Sequence, residues 1–113
     1  MLALNRILLG MKLVQAVSSV SIRLTSERIM HIEFRHPEMK DESERLLETV
    51  SAPDLIQEGD NETLIAVRHY DKTPMTKKYC VVVYREQYDV DGFIITAYFA
   101  SEIADWRKIL WKR

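Results

Sequence analysis

Histidines and arginines recur through residues 25–37, TSERIMHIEFRHP, at spacings that suit phosphate chemistry. An imidazole has an unperturbed pKa near 6.5 and exchanges protons at neutral pH. A guanidinium forks onto two phosphate oxygens and stabilises the charge that gathers on a phosphorane. On a helix turning about 100° per residue, Arg28, His31 and Arg35 share one side, because side chains three and four apart are neighbours. Ile29, Met30, Ile32 and Phe34 fill most of the remaining circumference and are expected to face a core. Metal-free RNA cleavage needs a base for the 2′-hydroxyl, an acid for the departing 5′-oxygen, and cations around the phosphorane. The plain alternative is a solvated helix face on which both arginines pair with Glu27, Glu33 or Glu38 and His31 does no chemistry. His36 has two readings as well: a second proton-transfer group, or a helix-end residue favoured by the dipole, with Pro37 fixing the backbone exit.

Two strand-like stretches supply further candidates. In TLIAVRHY, residues 63–70, Arg68 and Tyr70 share a face with Leu64. In FIITAYF, residues 93–99, Thr96 and Tyr98 share a face with Ile94, while Phe93, Ile95, Ala97 and Phe99 form the core side. If the two faces coincide, Arg68, Tyr70, Thr96 and Tyr98 make a polar, aromatic surface suited to phosphate contact and base stacking. Otherwise they are ordinary β-formers. His69 is expected at the core edge, Trp106 and Trp111 in packing roles, and Lys72, Lys77 and Lys78 in solvent. His31 and His36 are five residues apart rather than the four that aligns two imidazoles on a helix, and one cysteine with three histidines makes no zinc motif, so no metal or other cofactor is expected.

The elements that would position these groups can be read in order. Residues 17–24 alternate weakly as a strand or extended lead-in. Thr25 or Ser26 caps a helix that Pro37 ends near His36. Asp41 with Glu44 opens a second helix carrying Leu46, Leu47 and Val50, its many charges forming a solvated face. Asp60-Asn61 and 89–92, DVDG, are turn signals between strands at 63–70, 78–85 and 93–99, with a short extra strand at 55–57. The run KYCVVVYR has the continuous apolar character of a central strand covered on both faces. Ser101 caps a closing helix whose stripe is Ile103, Trp106, Ile109 and Leu110. The expected fold is therefore α+β: N-terminal helices packed on an antiparallel sheet of three or four strands, with a C-terminal helix.

With 113 residues, 47% hydrophobic and 29% charged, the chain suits a single domain, 1–113, with residues 1–20 as an extension or lead-in, 22–100 as the core and 101–113 as the closing helix. A net charge of −1 argues against gripping nucleic acid with the whole surface and leaves only a local basic patch. The lone Cys80, set in an apolar run, points to a buried thiol in a reducing, cytoplasmic setting. No apolar run approaches the roughly 20 residues of a membrane span. Lys12 and Gln15 interrupt the apolar start, against a signal peptide, and Met11 is an alternative start.

Taken in order, HI at 31–32, HPE at 36–38, PD at 53–54, the aromatic-ended strand at 68–70, the VVV run and TAY at 96–98 resemble a known group. From residue 22 to residue 100 the chain is similar to the small bacterial and phage domains of the barnase/EndoU/colicin/RelE-like nuclease superfamily. The resemblance implies helices ahead of an antiparallel sheet of about four strands and a metal-independent ribonuclease of toxin or phage-effector type. It implies His31 and His36 at the active site, Thr96 and Tyr98 contributing from a strand, and Arg28 holding phosphate. The expected partners are an RNA substrate and an antitoxin or immunity protein. The competing expectation is a non-catalytic protein-interaction module that uses an open sheet face or the C-terminal stripe.

Overall fold

The computed structural model describes residues 10–87 and 91–113. A hairpin of β1 (Met11–Gln15) and β2 (Ser21–Thr25) comes first, followed by α1 (Ser26–Arg35), a 3-10 turn (Pro37–Met39) and α2 (Ser43–Ser51). Then come β3 (Leu55–Glu58), β4 (Leu64–His69), β5 (Tyr79–Gln87), β6 (Asp91–Ala100) and β7 (Ile109–Lys112). The strands form one sheet in the order β1-β2-β6-β5-β4-β3-β7. Neighbours are antiparallel except β2 and β6, which run parallel from Ser21↔Asp91 to Arg23↔Phe93.

Local chemistry explains the helix that carries the histidines. The Thr25 hydroxyl accepts the Arg28 amide at 3.1 Å, satisfying one of the free donors of the first turn, and Glu27 lies where the dipole favours an anion. At the other end the His36 amide still donates to the Ile32 carbonyl, but Pro37 cannot continue the pattern and starts the 3-10 turn instead.

Both faces of the sheet are covered, unequally. On the helix side, Ile22, Leu24, Ile32, Val50, Val82 and Phe99 belong to the main core. The sheet curls so that α2 touches β1 as well as β4 and β5. On the opposite side, Leu55, Ile65, Val67 and Val81 form a smaller core with Ile103 packed against it. Gln57 donates to the Ala104 carbonyl at 2.7 Å and ties the segment 101–108 across that side. The alternation of β5 follows directly: Cys80, Val82 and Tyr84 point toward the helices, Val81 and Val83 away from them.

Several expectations are corrected. The sheet has seven strands among the described residues and is mixed, not a three- or four-stranded antiparallel sheet. Two strands precede the helices, because residues 11–15 belong to the sheet rather than to an extension, and the turn after them is made with Ser19 at φ 76°. The C-terminal helix does not form: Ile109–Lys112 instead pairs with β3, which would otherwise expose a row of main-chain groups. The second helix starts at Ser43, with Asp41 at φ 62° in the preceding turn rather than capping it. Of the 89–92 turn, residues 89 and 90 lie outside the described residues.

Candidate functional site

β6 is paired with β5 along its whole length, but with β2 only at Asp91, Gly92 and Phe93. Beyond Arg23, β2 pairs only with β1, and after Thr25 the chain turns into α1, which packs against β6. The edge of β6 after Phe93 thus has a helix beside it instead of a strand. Arg28 Nη1 donates to the Ile95 carbonyl at 3.3 Å and supplies the partner that a strand amide would have given. This leaves the remaining guanidinium donors of Arg28 for a ligand.

Arg28, His31, Arg35 and His36 line one open cleft of about 230 Å³ together with Ile95 and Thr96. A neighbouring hollow of about 250 Å³ shares Arg28 and His31 and adds Thr25 and Glu27. His31 and Arg35 are exposed, Arg28 and Thr96 half-buried. Among the described residues neither Arg28 nor Arg35 forms an ion pair, so the pairing with Glu27, Glu33 or Glu38 that would neutralise them is not made. His36 is half-buried, with Nδ1 3.9 Å from the Glu38 carboxylate and its ring 5.5 Å from that of Tyr98, the planes tilted by 32°.

Not every candidate converges here. A bulge between Val83 and Tyr84 shifts the register of β6, so Ile94 joins Ala97 and Phe99 on the helix side, away from Thr96 and Tyr98. Thr96 and Tyr98 sit opposite Val83 and Val81, on the loop-covered face, where Tyr98 borders the small core and backs onto His36. Arg68 sits opposite Cys80 and faces the helices. Its Nη1 donates to the Ala52 carbonyl, its Nε lies 3.5 Å from Glu48, and Tyr70 also donates to the Glu48 carboxylate. Arg45 and Arg68 lie 5.1 and 5.5 Å from the Tyr70 ring. Arg68 and Tyr70 therefore clamp α2 to β4; the two strand faces do not coincide, so the polar surface that depended on their doing so does not form. Burial, then the Glu48 carboxylate accepting its proton, pushes the Tyr70 phenol well above its ordinary pKa.

His69 is exposed rather than at the core edge, with its ring 5.3 Å from Tyr79. Trp106 is 72% exposed, so only Trp111, half-buried, has a packing role. The apolar side of α1 is narrower than expected. Ile32 is buried and Ile29 packs against the core, but Met30 and Phe34 stand 70% and 84% exposed beside the His31 row. The wheel itself held the signal: Met30 and Phe34 lie roughly 160–200° from Ile32, too far round to share its contact. The Ile95 carbonyl had no sequence signal, since it acts through the main chain.

Among the described residues no three His, Cys, Asp or Glu side chains gather into a group that would hold a metal ion. No described helix is long and apolar enough to cross a membrane. No family profile, curated protein or solved structure matches the chain.

Proposed function

We propose that the cleft between α1 and the β6 edge binds a phosphodiester of RNA and cleaves it without a metal. The observation that carries this reading is the convergence of two imidazoles, two guanidiniums free of carboxylate partners among the described residues, and a hydroxyl on one open cleft. Arg28 and Arg35 clamp the phosphate oxygens and offset the charge of the phosphorane. His31, the more exposed imidazole, takes the proton of the 2′-hydroxyl as its oxygen attacks phosphorus. The P–O5′ bond breaks, and His36 returns a proton to the leaving oxygen, giving a 2′,3′-cyclic phosphate and a free 5′-hydroxyl. Thr96 donates to the substrate from the strand, while Tyr98 acts from behind by holding the His36 ring.

Incubation of the purified protein with end-labelled RNA in EDTA tests the reading. His31→Ala should lower the cleavage rate by about 10²-fold or more, the range expected for loss of a positioned acid or base. Equal cleavage by both proteins, or no cleavage by the wild type, contradicts it.

A further inference from the structure

α1 carries two apolar side chains that neither the core nor the cleft uses: Met30 and Phe34, 70% and 84% exposed. With Glu33, Pro37 and Lys40 they line a hollow of about 370 Å³, within the range of small-molecule sites. Met30 and Phe34, four residues apart, stand together on the helix, and Pro37 adds a third apolar wall. The half-buried Glu33 carboxylate and the exposed Lys40 ammonium border the same hollow. Among the described residues neither forms an ion pair, with the other or with any third group. The hollow thus combines apolar walls with one acceptor and one cation that are both unmatched.

Its place beside the cleft selects the occupant. Phe34 follows His31 by three residues, so the two side chains are neighbours on α1, His31 lining the cleft and Phe34 the hollow. In the reaction read from the cleft, His31 takes the proton of a 2′-hydroxyl, and the nucleoside that carries this hydroxyl is the one within reach of Phe34. A nucleotide matches each group that the hollow offers. Its base stacks on an aromatic ring, an exocyclic amine such as cytosine N4 donates to a glutamate, and its 5′-phosphate meets an ammonium. An apolar side chain of a protein partner would leave Glu33 and Lys40 unmatched.

We propose that the hollow is the base subsite for the nucleotide 5′ to the scissile bond. Phe34 stacks the base, Glu33 selects one that bears an amine, and Lys40 holds the 5′-phosphate. The inference rests on the phosphodiester reading of the cleft. The probes are the 5′-phosphorylated dinucleotides CpA and UpA, which differ in the group that faces Glu33. In EDTA, kcat/KM should favour CpA by about fivefold or more, the low end for one base contact. Glu33→Gln should bring the ratio near one, because its amide donates to uracil O4 as well as accepting from the cytosine amine. Phe34→Ala should raise KM for both dinucleotides about tenfold with kcat little changed, through loss of stacking. Phe34→Trp should keep the wild-type KM, and at 84% exposure neither change disturbs the fold. Titration with the uncleavable 2′-deoxy dinucleotides should move the amide chemical shifts of Met30, Glu33, Phe34 and Lys40, and the cytosine form should bind more tightly. His31-dependent cleavage with equal rates on CpA and UpA, or an unchanged KM in Phe34→Ala, would overturn the subsite and leave the cleft reading standing. Cytosine-selective binding at those four residues without cleavage in EDTA would overturn the cleft reading and leave the subsite. Binding of neither dinucleotide would overturn both.

Discussion

Arg28 and Arg35 sit two turns apart on one helix and differ in what else they do. Arg28 is half-buried and its guanidinium satisfies the Ile95 carbonyl, so it supports the strand edge as well as facing the cleft. Arg35 is exposed and, among the described residues, makes neither a side-chain hydrogen bond nor an ion pair. Arg35→Ala should therefore leave the urea unfolding free energy within about 0.5 kcal/mol of wild type and still lower RNA cleavage by roughly tenfold or more, through loss of a forked phosphate contact. A loss of stability with unchanged cleavage would reverse the assignment. At the same scale, Cys80 is wholly buried and desolvation pushes its thiol up to about 11, opposed by a hydrogen bond with the Thr49 hydroxyl. The folded chain thus keeps a proton that the unfolded chain releases at its ordinary thiol pKa. Its contribution to stability is complete below that pKa and is lost as pH rises toward 11. Tyr84, also raised chiefly by burial, continues the loss at higher pH. Urea midpoints should be flat from about pH 7 to 8, then fall. Cys80→Ala should be less sensitive to pH than wild type across the first part of that fall.

The elements divide by how local their signals are. α1 announces itself through Thr25, Glu27 and Pro37, all of which act within a turn of the helix. β7 does not. Ile103, Trp106, Ile109 and Leu110 match a helical stripe, yet the segment becomes a loop and a strand because β3 needs a partner on its outer side, a demand set by residues about fifty positions earlier. The Glu58 amide donates to the Lys108 carbonyl and the Arg113 amide to the Asp54 carbonyl, both at 2.9 Å. Hydrogen exchange should show both amides protected; a helical C-terminus would leave Glu58 exchanging freely. The parallel junction of β2 and β6 was equally invisible, because its cause is close approach rather than periodicity. A Cβ on Gly92 would lie 2.4 Å from the Arg85 carbonyl oxygen and 2.7 Å from Ile22 Cδ1. Gly92→Ala should destabilise the fold by about 1–3 kcal/mol, the usual cost of overpacking, measured as a lower urea midpoint. An unchanged midpoint would mean the junction is looser than described.

At the scale of the molecule, the curled sheet separates functions that the sequence places side by side. Alternation correctly paired Arg68 with Tyr70 and Thr96 with Tyr98, but which face each pair occupies depends on register and on one bulge in β6, and neither leaves a local trace. The result puts Arg68 and Tyr70 under α2 as a structural clamp and leaves Thr96 at the cleft. Arg28, His31 and Arg35 were legible as a group because helical spacing alone brings them together; the place of His36 beside them, at the non-helical end of α1, and their position beside a strand edge required the whole topology. The most direct measurement of the central claim is single-turnover cleavage, in EDTA, of one RNA and of the same RNA carrying a 2′-deoxy sugar at the main scissile position. The wild type should leave a 2′,3′-cyclic phosphate on the first and fail to cut the second at that position, with His31→Ala slow on both. Cleavage that survives the missing 2′-hydroxyl, or that proceeds undiminished without the His31 imidazole, would contradict the account.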